Sequence, residues 1–222
     1  MVPELSLLDY VDVVRKFCRW LEDTPHPELR GVTDGKAIGT YVEHRCKEFI
    51  EREAGLPPGG SSALGQDLPQ FNVDIKATFL SQPQSSSPFR SIEEKIFGLP
   101  YNILLIVHTK RDTPEGARIK LHRVSYIPKE LTADHRTSRL ARRLSTNLRR
   151  GLISREEARK ELAKQLGLEE GGQIQITDPV IDRVLNHPPE EGVITITFAL
   201  QWRLNYNRFK TIEPIPGVTD LL

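Results

Sequence analysis

Cysteine is scarce in this sequence: Cys18 and Cys46 are the two among 222 residues. Each falls in a helical pattern and neither joins a CxxC or Cys/His cluster. That excludes a disulfide scaffold and a cysteine-held zinc site, and it fits a reducing cytoplasm. An excess of one charge is lacking too. The 31 Lys and Arg against 30 Asp and Glu leave a net charge of +1, so overall charge names no partner. No apolar run has the length of a membrane span. The opening "MVPELSLLDYVDVV" lacks the basic start and long apolar run of a secretory signal. There is no internal repeat, no phosphate-binding glycine loop, no dinucleotide fingerprint and no Ser–His–Asp arrangement. The six histidines form no metal pattern. His44 stands next to Glu43 but points elsewhere on its helix, and His108 and His122 read as structural residues on strands.

What is present is ordinary for a globular chain, 38% hydrophobic and 27% charged. Its length suggests one large domain, or a core with an inserted subdomain. Residues 5–22 have Leu8, Val11, Val14, Phe17, Cys18 and Leu21 near helical spacing. "DTPHPELRG" breaks that helix, and a second is expected over 34–53, capped by Thr33 or Asp34 and ended by Gly55, Pro57 and Pro58. After the loop "GLPPGGSSALG", a strand runs to about Phe79. "SQPQSSSPF" is a polar loop and 91–98 a short helix. "YNILLIVHT" reads as a central strand buried on both faces, and "ARIKLHRVSYIP" as a further strand. Residues 132–166 read as two helices broken at Gly151, with a capping box from Ser154. "GVITITFALQWRLNYNRF" reads as one strand or two with a bend. This order predicts an α/β (α+β) domain on a mixed sheet.

Chemistry concentrates in "QDLPQFNVDIKAT", residues 66–78. Alternation puts Phe71, Val73, Ile75, Ala77 and Phe79 on one side and Asn72, Asp74, Lys76 and Thr78 on the other. Asp74 and Lys76 project together, roughly 7 Å apart along the strand. Asp67 precedes Pro69 and reaches Asp74 only if a turn folds the chain back. Two carboxylates beside an ammonium suit a hard divalent cation and a positioned water. The plain alternative is an exposed Asp–Lys pair on a strand face. In the preceding helix Gly39, Glu43, Cys46 and Ile50 follow at four, three and four residues, which sets Glu43 on the edge of the buried stripe. A carboxylate there needs a partner or an ion. The structural option is pairing with Arg45, Lys47 or Lys76. Gly39 would permit close approach of another element.

Cations gather in "HRTSRLARRLSTNLRR", residues 135–150, where Arg136, Arg139, Arg142, Arg143, Arg149 and Arg150 occur with no acid. Arg136, Arg139 and Arg143 recur at helical spacing, with Ser138, Ser145, Thr146 and Asn147 as further phosphate donors. The alternative is a solvated face paired with the acids of 156–161. Two segments offer base-reading side chains: Gln82, Gln84, Ser85, Ser86 and Arg90 after the strand, and Gln201, Arg203, Asn205, Asn207 and Arg208 near the C-terminus. Strand alternation would place Gln201, Arg203, Asn205 and Asn207 on one side, and the bland reading is an exposed edge strand.

A helix glutamate, then an Asp, then Asp-x-Lys on a strand ahead of a buried strand resembles the PD-(D/E)xK nucleases. The spacing in "QDLPQFNVDIK" is similar to that of the MutH-type mismatch-repair endonuclease and its type II restriction-enzyme relatives, and "IGTYVE" resembles the first active-site helix. The match spans roughly 34–110, and Gln66 stands where the family's proline precedes the first acid. The resemblance implies a restriction-endonuclease-like core with a central mixed β-sheet flanked by helices. It implies that Asp67 and Asp74 bind Mg2+ (or Mn2+), that Lys76 positions or activates the attacking water, and that Glu43 supports the site. The implied reaction is hydrolysis of double-stranded DNA to 5′-phosphates, without a nucleotide cofactor, in a prokaryotic cytoplasm. Such enzymes usually cut as homodimers, and the N-terminal helix is a candidate interface. The expectation is therefore a single type II endonuclease domain over 1–222, with a catalytic core of about 34–127, a basic DNA-contacting region of about 132–170 and a strand region at 192–210. Its rivals are a MutH-like strand-nicking repair enzyme and a DNA-binding protein without catalysis.

Overall fold

The computed structural model describes residues 7–56, 66–86, 89–168, 175–197 and 203–222. The chain divides into two compact units: Met1–Ser85 with Tyr101–Ile127 and Tyr206–Leu222, and Ser86–Pro100 with Pro128–Asn205.

The first unit is a four-stranded mixed sheet with two helices. Helix α1 spans Leu7–Asp23 and α2 spans Gly35–Glu53. Asp34, rather than Thr33, caps α2 by accepting from the Lys36 N–H. Strand β1 is Val73–Phe79, and the short β2, Gln84–Ser86, lies where the units meet in sequence. Strands β3 (Asn102–Thr113) and β4 (Gly116–Ile127) form a long antiparallel pair. β1 lies parallel to β3, with Asp74 opposite Ile103 and Lys76 opposite Leu105. The last strand of the chain, Thr219–Asp220, pairs with the other edge of β4, so β1 is an edge strand. This mixed sheet with flanking helices bears out the expected fold class. Val14, Phe17, Leu21, Ile38, Val42, Cys46 and Ile50 from the helices meet Val73, Ile75, Leu104 and Ile106 from the sheet in one core.

The expected strand is shorter than its alternation suggested. Pro69–Phe71 forms a 3₁₀ turn and Asn72 takes a left-handed φ of 53°. Phe71 therefore leaves the strand, though it still packs on the core. An asparagine tolerates this conformation better than most residues.

The second unit is mainly helical. It holds α3 (Ile92–Phe97), α4 (His135–Arg149), α5 (Arg155–Gln165) and α6 (Asp178–Asn186). Gly151 adopts φ +66° at the break between α4 and α5, and Ser154 and Glu157 close the expected capping box. Their apolar stripes share a second core built on Ile96, Ala141, Leu144, Ala158, Leu162, Ile181 and Val184. Helix α6 escaped the sequence reading because Asp178-Pro179 looks like a turn. Proline is tolerated at a helix start, and Ile176, Val180, Ile181 and Val184 have the spacing of a buried stripe. Strands β5 (Thr195–Thr197) and β6 (Arg203–Asn205) pair antiparallel in place of one continuous strand; the final strand, 219–220, is β7. No described helix is long and apolar enough to cross a membrane.

Candidate active site

The polar side of β1 is not a solvent face. Asp74 is 3% exposed and Thr78 4%, while Val73, Ile75 and Ala77 are buried on the opposite side. That removes the reading of Asp74 and Lys76 as an ordinary surface pair. A buried charge needs partners, and the Lys76 Nζ lies 2.7 Å from the Asp74 Oδ2.

The fold-back that Asp67 required is present. Leu68 and Val73 exchange backbone hydrogen bonds in both directions, closing the turn around Asn72. The Gln66 side-chain amide donates to the Asn72 side-chain oxygen, and the Asn72 carbonyl accepts from both the backbone and side-chain N–H groups of Asn102. These bonds tie the turn to the start of β3.

The position of β1 at the sheet edge explains where two of the acids go. An edge strand has backbone N–H groups that no neighbouring strand accepts. The Ile75 N–H donates to the Asp67 Oδ2 at 2.9 Å, and the Ala77 N–H donates to the Glu43 Oε1 at 2.9 Å. Two consecutive outward N–H groups of β1 thus hold two carboxylates in line along its open edge. Glu43 can reach because α2 lies close to the strand. A Cβ placed on Gly39 would stand 2.9 Å from the Ala77 carbonyl oxygen, so only glycine fits without a shift. Glu43 takes a backbone partner here rather than Arg45, whose guanidinium pairs with Glu28 and Glu48.

The electrostatics follow from burial among like charges. Burial pushes the Asp74 carboxyl up to about 7; Lys76 pulls the other way, and Asp67, which shares a hydrogen bond with Asp74, adds to the rise. Burial also raises Glu43, opposed by the Ala77 N–H and Lys76 and reinforced by Asp67. For Lys76 burial works to lower the pKa, but Asp74, Glu43 and Asp67 outweigh it and hold it above the ordinary value. A site where crowded carboxylates favour protons over ionisation is one that a divalent cation would relieve. Among the described residues no three His, Cys, Asp or Glu side chains form a ready cation cage. The touching pair Asp67 and Asp74 fits magnesium, which takes one or two carboxylates and keeps several waters.

Two residues near this cluster carried no signal in the sequence reading. Thr78, two positions beyond Lys76, has its hydroxyl bonded to Gln84. Tyr206 is fully buried, and Asp74 and Glu43 lie within its electrostatic reach. Strand alternation assigned Tyr206 to the far side of a C-terminal strand. In fact β6 ends at Asn205, and the chain enters a 3₁₀ turn at Asn207–Lys210.

The expected DNA-contacting residues are scattered over several elements. Gln82, Arg90 and Arg203 are exposed, Gln84 and Asn205 half-buried, and Asn207 exposed on the 3₁₀ turn, so it no longer shares a strand face with Arg203 and Asn205. Gln201 lies outside the described residues. Arg136, Arg139, Arg142, Arg143, Arg149 and Arg150 are all exposed. Arg142 donates to Pro189 and Glu190, Arg143 to Glu161, and Arg149 to the Leu185 carbonyl. Arg136, Arg139 and Arg150 have no partner among the described residues. Ser138 and Ser145 are buried and bonded inward, to Asp134 and Leu185, which takes them off the phosphate-facing side.

Comparison with known proteins supplies the family. The family model described as "Type II restriction enzyme NspV" matches residues 4–220. The type II restriction enzyme NspV of Nostoc sp. (strain ATCC 29411 / PCC 7524) is 39% identical over 188 residues, covering 83% of this chain and 81% of that protein. No solved structure matches the chain significantly. With nearly its whole length inside the family match, the chain belongs to the NspV family of type II restriction enzymes.

Proposed function

We propose that Glu43, Asp67, Asp74 and Lys76 form the hydrolytic centre of a Mg2+-dependent endonuclease that cuts both strands of double-stranded DNA at a specific site and leaves 5′-phosphates. Membership of a type II restriction enzyme family makes the chain a site-specific deoxyribonuclease with a divalent-metal cofactor. The observation that carries the finer reading is the convergence of three carboxylates and one ammonium along the open edge of β1.

Hydrolysis joins a water oxygen to phosphorus and releases the 3′-oxygen, which takes a proton. A bound Mg2+ or Mn2+ would supply Lewis-acid polarisation of the phosphate and a more acidic water. Asp67 and Asp74, which lie within hydrogen-bond reach of each other, would hold it. Lys76, held above its ordinary pKa, is a cation at neutral pH, so its Nζ donates hydrogen bonds. It orients the attacking water through that oxygen's lone pair or offsets charge growing on a phosphate oxygen. Glu43 fixes the Ala77 end of the strand and adds negative potential.

In this reading both units belong to one endonuclease, working in a cytoplasm as a homodimer with one centre per subunit, as a two-fold DNA site would require. Arg136, Arg139 and Arg150, without partners among the described residues, bind phosphates, and Gln82, Gln84, Arg90, Arg203 and Asn205 supply base contacts. Digestion of a plasmid of known sequence, with Mg2+ and then with EDTA, tests this. Discrete linear fragments with 5′-phosphate ends, absent under EDTA, are expected. A nicked circle would mean a strand-nicking enzyme, and no cleavage across metals and salts would sink the proposal.

A further inference from the structure

The segment directly after β1 is held far more firmly than a polar loop requires, by hydrogen bonds at both its ends and its middle. The Thr78 hydroxyl accepts from the Gln84 N–H at 2.9 Å and donates back toward the Gln84 carbonyl at 3.2 Å. The Tyr206 N–H donates to the Pro83 carbonyl at 2.8 Å, and the Tyr206 hydroxyl meets the Ser85 hydroxyl at 2.9 Å. The Lys210 Nζ donates to the Ser81 carbonyl at 3.1 Å. Pro83 is itself buried and fixes its own φ.

The anchors are as well supported as the segment they hold. Thr78 lies on the same side of β1 as Asp74 and Lys76. Tyr206 is packed edge-on against Phe209, whose ring lies under the Arg123 guanidinium at 5.1 Å. Arg123 is bonded to both oxygens of Asp220 and to the Thr211 carbonyl, which pins the C-terminal segment to β4. At the tip, Gln82 is exposed and Gln84 half-buried, and neither side-chain amide has a partner among the described residues. A rigid arm ending in two uncommitted amides is what direct readout of a base edge needs.

We infer that Thr78 and Tyr206 are positioning residues: they fix the Gln82–Gln84 arm to the strand bearing Asp74 and Lys76, so that base contact at the arm sets whether the scissile phosphate reaches those two residues. This rests on the hydrolytic reading above. Affinity for DNA then comes largely from elsewhere, while the arm converts a correct sequence into a correctly placed phosphate. A wrong base pair, or a loosened arm, leaves DNA bound and the phosphate displaced, and a displacement of about 1 Å costs on the order of a hundredfold in rate.

The test uses the full chain and two duplexes: one carrying a site mapped from wild-type plasmid digestion, the other altered by one base pair. Single-turnover cleavage is measured for wild type, Thr78→Val, Thr78→Ser and Tyr206→Phe, with duplex affinity and melting temperature alongside. Tyr206→Phe keeps the buried ring and removes only the hydroxyl. Thr78→Ser keeps the hydroxyl. The expected result is a loss of about tenfold or more in mapped-site rate for Thr78→Val and Tyr206→Phe, scaled from that same placement sensitivity. The mapped-to-altered rate ratio also falls, affinity stays near wild type, and Thr78→Ser restores both rate and ratio. An unchanged ratio overturns the inference, whether rates hold or fall together on both duplexes. If Thr78→Val does not fold, Tyr206→Phe alone decides. A wild type that cuts nothing would instead refute the hydrolytic reading, which separates the two failures.

Discussion

Two charged regions of this protein look alike in sequence and differ in physics. The β1 edge holds Asp74 buried and Glu43, Asp67 and Lys76 half-buried, each tied by a backbone N–H or an opposite charge at 2.7–2.9 Å. Helix α4 and its C-cap residue Arg150 carry six arginines in solvent, three with partners and three without any among the described residues. In the first region burial makes every charge costly, so the arrangement is rigid and shifts pKa values. In the second, water screens each cation and a partner changes little. In the proposed reading, chemistry is built where charge is desolvated and fixed, and affinity where it is exposed and spare.

Removing a member of the buried cluster should have the largest effect. Asp67→Asn and Lys76→Ala are each expected to lower single-turnover cleavage by about 10³-fold or more, as loss of a preorganised electrostatic group does. Duplex binding should stay within a few-fold. Gly39→Ala comes next. The new methyl would press on the Ala77 carbonyl, part of the residue whose N–H holds Glu43. We expect a destabilisation of about 1–3 kcal/mol by thermal melting, together with reduced cleavage.

The arginines sharpen the contrast from the other side. Replacing Arg136, Arg139 and Arg150 with alanine should weaken binding to all sequences alike. The slope of log affinity against log salt should fall by roughly one for each phosphate that the variant no longer neutralises. Arg143→Ala, which breaks an exposed pair with Glu161, should change the slope less and cost at most about 1 kcal/mol of stability.

A separate effect, confined to acid pH, concerns a buried titratable group outside the cluster. His108 on β3 is fully buried against Phe79, and neither ring nitrogen has a partner among the described residues. Burial, with a smaller push from His122, lowers its pKa to about 4. The unfolded chain takes up this proton near pH 6.5. Stability is therefore full above that value and is lost as pH falls toward 4. His108→Leu should flatten the acid decline by on the order of 1–3 kcal/mol in denaturant titrations at pH 4 and 7.

How much of this was legible in the sequence varies with how local the cause is. Helices α1, α2, α4 and α5 were marked by stripes, Asp34 and Ser154 caps and Gly151. Strand β3 was marked by its unbroken apolar run. The shared side of Asp74 and Lys76 and the buried edge of Glu43 followed from residue spacing alone. The contact with Asp67 did not, because it depends on a left-handed Asn72 and a turn tied to Asn102, 30 residues away in the chain. Thr78 and Tyr206 were invisible for a similar reason: their partners lie across a loop or 121 residues away. The burial of the polar side of β1 was equally hidden, since alternation shows that two faces differ but not that both are covered.

The central claim is that Asp74 is chemical rather than structural. Single-turnover cleavage of the mapped duplex by Asp74→Asn, at enzyme concentrations that saturate binding and with Mg2+ present, tests it most directly. The account predicts a folded protein that binds the duplex and leaves it uncut while wild type cuts it. Cleavage by Asp74→Asn at the wild-type rate and position would contradict it.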